Sequence, residues 1–567
     1  MKRLIKASML LMVAALFAAC ANEDIAQDKK KENETEAPKG GVIFAANEPK
    51  ISAKRLSIGD EDEFAGAKTR TNIKHTAGQG ADAVWINGDF IWVKKQDGTW
   101  AQSTSTTLHD GGASAEFTLP GSMADYADGC EVRYTGYGAG SYAIPSGPDW
   151  VGFPYQFRNV TTANDFTNAG GWGDCGSGKA YNTGNPAKFN FRLSHKAAYL
   201  CFLPRCENIA LAPNIRLTCI KLTVTKCYNN PSSHMLDIFT FDGENLTLGG
   251  VTGATNTLQI DIPDFPLSTT ANQEANAVYT VIRPDKYDFK IEYTIKDPMA
   301  NIETVVTDIR TGITLDKGKI YDVTADLTVP ALPSPPNFYM WDALQHYWWG
   351  HESEQPLEEG GFSPSYPQSK ATDPQRWYND TNPGNDKRYD ASRNPLFKTL
   401  PNANEFAWYV NKGDPHWGND GKVYAKNGHL LHLRGMWLRK KSAIVTYLKN
   451  VEHYPTSLTE ESLKDSYRDS PTATPVDYRA HGGASQNYSV IDGNPNTTDY
   501  FFLPAWGIFY DLGKYIEAPS YYSNSSGFYW SSSAIGAAAY VLYFDRGHRI
   551  FFGTTMRQGG FLARPFE

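Results

Sequence analysis

Between residues 41 and 330 the chain reads as short apolar runs separated by turn residues. The runs are GVIFAAN, DFIWVKK, AEFTLP, KFNFRL, AAYLCFL, IRLTCIKLTVTK, TLQIDIP, AVYTVIRP, DFKIEYTIKD, ETVVTDIR and IYDVTADLTV. In several of them apolar side chains recur at every second position, as at Ile215, Leu217 and Cys219, and a period of two marks a strand with one buried face. Asn87, Gly88 and Asp89, and again Lys317, Gly318 and Lys319, supply turns between runs, with glycine free to take positive φ. Strands this numerous predict sandwiches, one at 41–214 and a second at 215–328. Residues 329–337, VPALPSPPN, carry four prolines in nine positions and predict a semi-rigid spacer. Beyond it Trp and Tyr become frequent and loops lengthen. One stretch, NANEFAWYVNKG, predicts a helix with Asn402 as its cap and Phe406, Ala407 and Val410 as its apolar stripe. The expected fold class is mainly β: a two-part β-sandwich region followed by an α+β domain at 338–567.

The first forty residues follow a different pattern. Lys2, Arg3 and Lys6 precede an apolar run from Ala7 to Phe17, which ends in Ala18, Ala19 and Cys20. The run is shorter than the ~20 residues a membrane-spanning helix needs, and the pattern is that of an export signal at 1–19. A cysteine directly after it predicts a bacterial lipoprotein with Cys20 lipidated; the alternative is a soluble secretory signal. Residues 20–40 are charged and nearly devoid of apolar content, as in a disordered tether.

Length and charge narrow the function. A chain of 567 residues suggests three or four compact units at ~150 residues each. The net charge is −8, and no basic block follows DKKKE, so the phosphate-neutralising footprint of a nucleic-acid binder is missing. Six further cysteines, Cys130, Cys175, Cys201, Cys206, Cys219 and Cys227, are even in number, which in an exported chain permits disulfides. Cys201 and Cys206 have no matching second knuckle, so structural thiols or disulfides are expected over zinc, with no metal and no cofactor. His195 reads as a sandwich-edge histidine, and His429 and His432, three apart in a strand, face opposite sides. Ser531, Ser532 and Ser533 lack a Gly-x-Ser-x-Gly elbow, and the pair Glu352 and Glu358 sits in no motif, so the chain is not expected to be an enzyme.

Several motifs occur in an order that resembles the fimbrillin family, lipoprotein pilus subunits of Gram-negative anaerobes. Over residues 41–328 these are GVIFAAN, AKTRT with VWINGDFIWV, FRLSHKAAYLCF and TLDKGKIYDVTADLTV. The resemblance implies export to the outer membrane on the lipid anchor, then cleavage by a trypsin-like protease behind the first strand. The strand leaves and the groove accepts a strand from another pilus subunit, a form of β-augmentation. Arg55 in SAKRLS and Arg70 in AKTRT are the cleavage candidates, both placed in a charged loop, with Arg55 preferred.

The part from 338 to 567 resembles C-type-lectin-like bacterial domains related in fold to formylglycine-generating enzymes. The motifs are TLPNANEFAWYV, FFLPAWGIFYDLG, GFYWSSS, AAYVLYF and GGFLARPF. Its lack of cysteine departs from the chemistry of those enzymes, and the Asn- and Asp-rich RWYNDTNPGND reads as Asx turns rather than a calcium site. Tyr540 to Phe544 and Arg549 to Phe552 read as paired strands, and Phe561 to Phe566 as the strand that seals the domain. A subunit whose last strand is sequestered can accept a strand but not donate one, which implies a place at the pilus tip, on the cell surface. Trp348, Trp349, Trp377, Trp417 and Trp506 are then candidates for binding an unknown glycan or protein receptor, although most are expected to fill the core. The competing expectation is a lipid-anchored surface glycan-binding protein of a nutrient-uptake system.

Overall fold

The computed structural model describes residues 41–567 apart from 47–51, 57–71, 137–146, 154–156, 183, 185–187, 230–234, 236, 250–254, 511–512, 521–524 and 548. The protein is mainly β, as the alternating runs predict. Its first body is a nine-stranded sheet in which β1 (Gly41–Ala46) lies between Lys188–Phe191 and Ser114–Pro120. One core serves this sheet, with Val42, Phe44, Ile91, Val93, Phe117, Leu119, Val132, Phe189 and Phe191 all buried.

The second body is a sandwich of two sheets. A five-stranded sheet runs Phe157–Asn159, Thr257–Pro266, Arg216–Cys227, Asp285–Asp297 and Ile302–Leu315. A four-stranded sheet runs β2 (Ser52–Leu56), Lys319–Asp326, Ala198–Arg205 and Val278–Ile282. Asp285–Asp297 buries every second residue, so its period of two is the sandwich face itself. The expected border at 214/215 is corrected here. Ala198–Arg205 pairs with Val278–Ile282 on one edge and Lys319–Asp326 on the other, so the second body already owns that strand, whose run of apolar residues is buried on both faces as an interior strand of a layered fold is. It also takes β2 and the hairpin of β3 (Asn72–Thr76) and β4 (Gln79–Val84) from far upstream.

The C-terminal body is α+β. Ser526–Ile535, Ala538–Asp545 and Arg549–Met556 form the centre of a seven-stranded sheet, and Arg434–Arg439 that of a second sheet of four. Helices span Ala403–Lys412 and Lys441–Asn450. Asn402 caps the first, accepting from the N–H groups of Asn404 and Glu405, while Glu405 reaches back to the Asn402 N–H at 2.8 Å. The expected strand from Phe561 to Phe566 is only Phe561–Leu562; beyond it the Phe566 ring packs against Phe406, Tyr409, Phe501 and Tyr529 at 5.3–5.8 Å.

The proline-rich segment is clamped rather than a free spacer. Ala425 donates to the Pro330 carbonyl at 2.8 Å and Leu332 donates to the Ala425 carbonyl at 3.0 Å. The hairpin bearing Ala425 also reaches the second body. There the fully buried Asp297 accepts from His429 Nδ1 at 2.9 Å and from the Leu430 N–H at 3.0 Å through one oxygen, and from Met299 and Ala300 N–H through the other. Leu430 and Ala425 are part of the sandwich core. Asp297→Ala leaves those donors without an acceptor and is expected to cost about 2–3 kcal/mol, read as a lower urea midpoint together with faster proteolysis between 329 and 337.

Candidate functional site

Two places bear on the expectations drawn from the sequence, the seat of β1 and a polar pocket in the C-terminal body. β1 runs parallel to Lys188–Phe191, with Phe44 opposite Phe189, and antiparallel to Ser114–Pro120, with Phe44 opposite Phe117. Val42, Phe44 and Ala46 point inward and are 2%, 0% and 1% exposed. Phe44 stacks on Phe189 at 4.8 Å and meets the Tyr126 ring edge-on at 5.2 Å. A strand held on both sides would, if withdrawn, leave two rows of unpaired backbone groups above an apolar floor. Such a cleft is filled by another strand of the same alternating pattern.

After β1 the chain crosses to the other body, where β2 lies at a sheet edge parallel to Lys319–Asp326, with Arg55 opposite Asp322. The expectation that Arg55 sits in a loop is therefore corrected. Its backbone is in a paired strand, and a protease that binds its substrate extended needs that strand to leave first. Arg70 and Cys20 fall outside the described residues.

The tryptophan candidates do not form one platform. Trp348, Trp417 and Trp506 are 1%, 4% and 5% exposed and belong to the core, so a role as open stacking surfaces is corrected for these three. Trp377 is half-buried beside the Tyr378 ring, and Trp349, 45% exposed, is the open one. Trp417 nonetheless lines a pocket of about 420 Å³ with Gly418, Asn419, Arg434, Asp492 and Arg546. Its indole N–H is buried without a hydrogen-bond partner. The Arg434 carbonyl accepts the Ala505 N–H at 2.8 Å, while its guanidinium is attracted by Asp492 and repelled by Arg546. Burial, and then the neighbouring Arg546 guanidinium, hold Arg434 below its ordinary pKa, with Asp492 opposing. Two arginines at one opening, with Asp492 as the opposing charge, suit an anionic group. A Cβ on Gly418 would come within 2.1 Å of Asn494 Oδ1, so only glycine leaves that wall of the pocket in place.

The other sequence candidates are structural. Ser531 and Ser533 are buried, and Ser531 donates to the Pro401 carbonyl at 2.9 Å. His195 does find a carboxylate, Asp174, at 2.8 Å, with Tyr199 bonded to the same oxygen. Their 21-residue separation hid the pair from a reading by sequence neighbourhood. Asn382 accepts from Gly384 and Asn379 from Thr381, the Asx turns expected of that loop. None of the six cysteines from Cys130 to Cys227 is joined in a disulfide. The arginines of the pocket lay in no motif; Arg434 opens one strand and Arg546 sits in the Asp545–Arg549 turn, joined only by folding.

No family model matches this chain, and no curated protein does. Among solved structures it is similar to a "putative cell adhesion protein" from Bacteroides ovatus, at 17% identity over 45% of this chain and 89% of that one, with a TM-score of 0.26. It is also similar to a fimbrial protein from Bacteroides ovatus, at 11% identity over 91% and 100% with a TM-score of 0.24. A third is the fimbrial anchor protein Mfa2 from Porphyromonas gingivalis, at 10% identity over 47% and 82% with a TM-score of 0.19. TM-scores this low leave the argument to the geometry.

Phe44→Ala removes the ring at the centre of the β1 seat and is expected to cost about 3–5 kcal/mol, measured as a drop in the guanidinium midpoint. An unchanged midpoint would mean that β1 contributes nothing to the first core.

Proposed function

We propose that this protein is a fimbrial adhesin-like component of the bacterial surface, exported as a lipoprotein and built into a pilus by exchange of its first strand. The observation that carries the reading is the interior seat of β1, a short N-terminal strand paired on both edges and buried on one face. Removal of such a strand opens a groove that only another strand closes, and main-chain pairing then supplies affinity while inward side chains set register. The clamped C-terminal body is held outward from that groove as the adhesive part, at the pilus tip, and the Arg434–Arg546 pocket is where an acidic glycan or acidic peptide of the receptor would be met.

A second reading is favoured by one specific observation. Arg55 lies in a paired strand, and a segment used in both bodies is one that the working protein has reason to keep. The molecule is then a permanently anchored surface glycan-binding protein.

N-terminal sequencing and intact mass of the protein from sheared surface filaments and from membranes separate the two. A start at Leu56 or Thr71 in filaments is expected under strand exchange; a lipidated start at Cys20 confined to membranes would overturn it. Under either reading Arg434→Ala is expected to weaken capture of sulfated or uronic-acid glycans about tenfold or more, the worth of one charge-assisted hydrogen bond, with no change in melting temperature.

A further inference from the structure

The β3–β4 hairpin lies against the second body, and its buried His75 faces a small cluster. His75 Nε2 is 2.6 Å from Asp322 Oδ1, and His75 Nδ1 is 3.0 Å from the Gly80 carbonyl. Asp322 Oδ2 accepts the Gly78 N–H at 2.6 Å. Cys201 is opposite Asp322 in the parallel pairing of Ala198–Arg205 with Lys319–Asp326. The imidazole, thiol and carboxylate each offer a ligand atom, all within 4.8 Å of one another, and the three residues are 7%, 0% and 4% exposed.

The hydrogen bonds pose a chemical question. Gly80 offers only a carbonyl, so Nδ1 carries a proton and donates it. A neutral ring then presents a lone pair at Nε2 to the lone pairs of Asp322, two acceptors in contact. Either a proton, on the ring or on the carboxyl, or a metal has to stand between them. The thiol beside them bears on the choice. Its sulfur lies within 4.8 Å of both other ligand atoms, so the three converge on one point. A metal gives the sulfur a strong partner as thiolate.

We propose that His75 Nε2, Asp322 Oδ1 and Cys201 Sγ bind one divalent transition ion of the zinc type, which pins the hairpin to the sandwich. One imidazole, one carboxylate and one thiolate form a borderline-soft set suited to a tetrahedral ion that keeps one position open. Bonds of about 2.0–2.3 Å place the ligand atoms roughly 3.3–3.8 Å apart. The His75–Asp322 contact therefore widens by about 1 Å as the ion enters, within the spread of the cluster. Outer contacts already orient two ligands, the Gly80 carbonyl on Nδ1 and the Gly78 N–H on Oδ2, as metal-binding histidines and carboxylates require. Binding releases the thiol proton to solvent, so the site loads better as pH rises. Ligands at 75, 201 and 322 form no knuckle, which is why cysteine spacing alone argued against a metal. The proposal does not depend on how the protein is assembled.

The test uses the full chain, unfolded and refolded with Co2+ or with EDTA. One Co2+ per chain is expected, with a thiolate-to-cobalt charge-transfer band in the near ultraviolet and tetrahedral d–d bands in the visible. Cys201→Ser should abolish the charge-transfer band while leaving far-ultraviolet circular dichroism unchanged, and refolding with Zn2+ should raise the melting temperature of the natural chain but not of that variant. Should Cys201→Ser fail to fold, His75→Ala on the hairpin is expected to weaken Co2+ binding at least tenfold. No stoichiometric binding, or a charge-transfer band that survives both substitutions, would overturn the site and leave an imidazolium–carboxylate pair in its place.

Discussion

The first body depends on a strand that is far from the rest of its sheet in sequence. β1 closes the gap between Lys188–Phe191 and Ser114–Pro120, strands almost seventy residues apart along the chain, and it supplies Phe44 to the ring cluster beneath them. Sheet hydrogen bonds are contributed on both of its edges, so the constraint is all or nothing: the seat is occupied by a strand of this pattern or it is an open groove. From Ala46 the chain passes to the edge of the next sandwich as β2, and one N-terminal segment thus ties two bodies together.

Elsewhere the bodies and loops are joined by buried charges that each make several hydrogen bonds. Asp297 receives four donors, two from its own turn and two from the hairpin of the C-terminal body. Asp342, fully buried, takes the N–H groups of Ser392, Arg393 and Asn394 and the Asn379 amide, and so organises the long loop that sequence reading could only describe as rich in Asx turns. Arg557 lies over the Trp341 ring at 4.5 Å and donates to the carbonyls of Asn379, Thr381 and Gly536. Loops this long stay ordered because such groups are costly to leave unpaired once dry.

The same economy explains the aromatic richness of the C-terminal body. Its tryptophans are mostly internal, with Trp341, Trp348, Trp408 and Trp530 fully buried, and large rings fill a core threaded by irregular chain where aliphatic side chains would leave gaps. Composition pointed to binding platforms and packing alike; burial gives most of these rings to packing, and the Arg434–Arg546 opening is a polar feature of that surface.

Local pattern carries far in this chain. Alternation around Leu217 placed a strand, although a bulge between Leu217 and Cys219 moves its buried face to Ile220, Leu222 and Val224; the glycine at 88 placed a turn with φ of 97°, and Asn402 with Glu405 placed a helix start, because strand period, turn dihedrals and capping are each settled within a few residues. What alternation cannot carry is which strands become neighbours. It assigned Ala198–Arg205 to the first body and Arg55 to a loop, since a buried face does not name its partner and an edge strand needs an edge to join. The site residues divide in the same way. Trp417 was visible as a residue type, whereas Arg434 with Arg546, Asp174 with His195, and His75 with Cys201 and Asp322 are pairs and triples of distant positions. Sequence by itself determined the strands, the turns and the mainly β class, which short-range sterics and hydrophobic period dictate. Tertiary structure alone decided the seat of β1, the burial of the tryptophans and the meeting of the charged groups, because those follow from pairing across hundreds of residues.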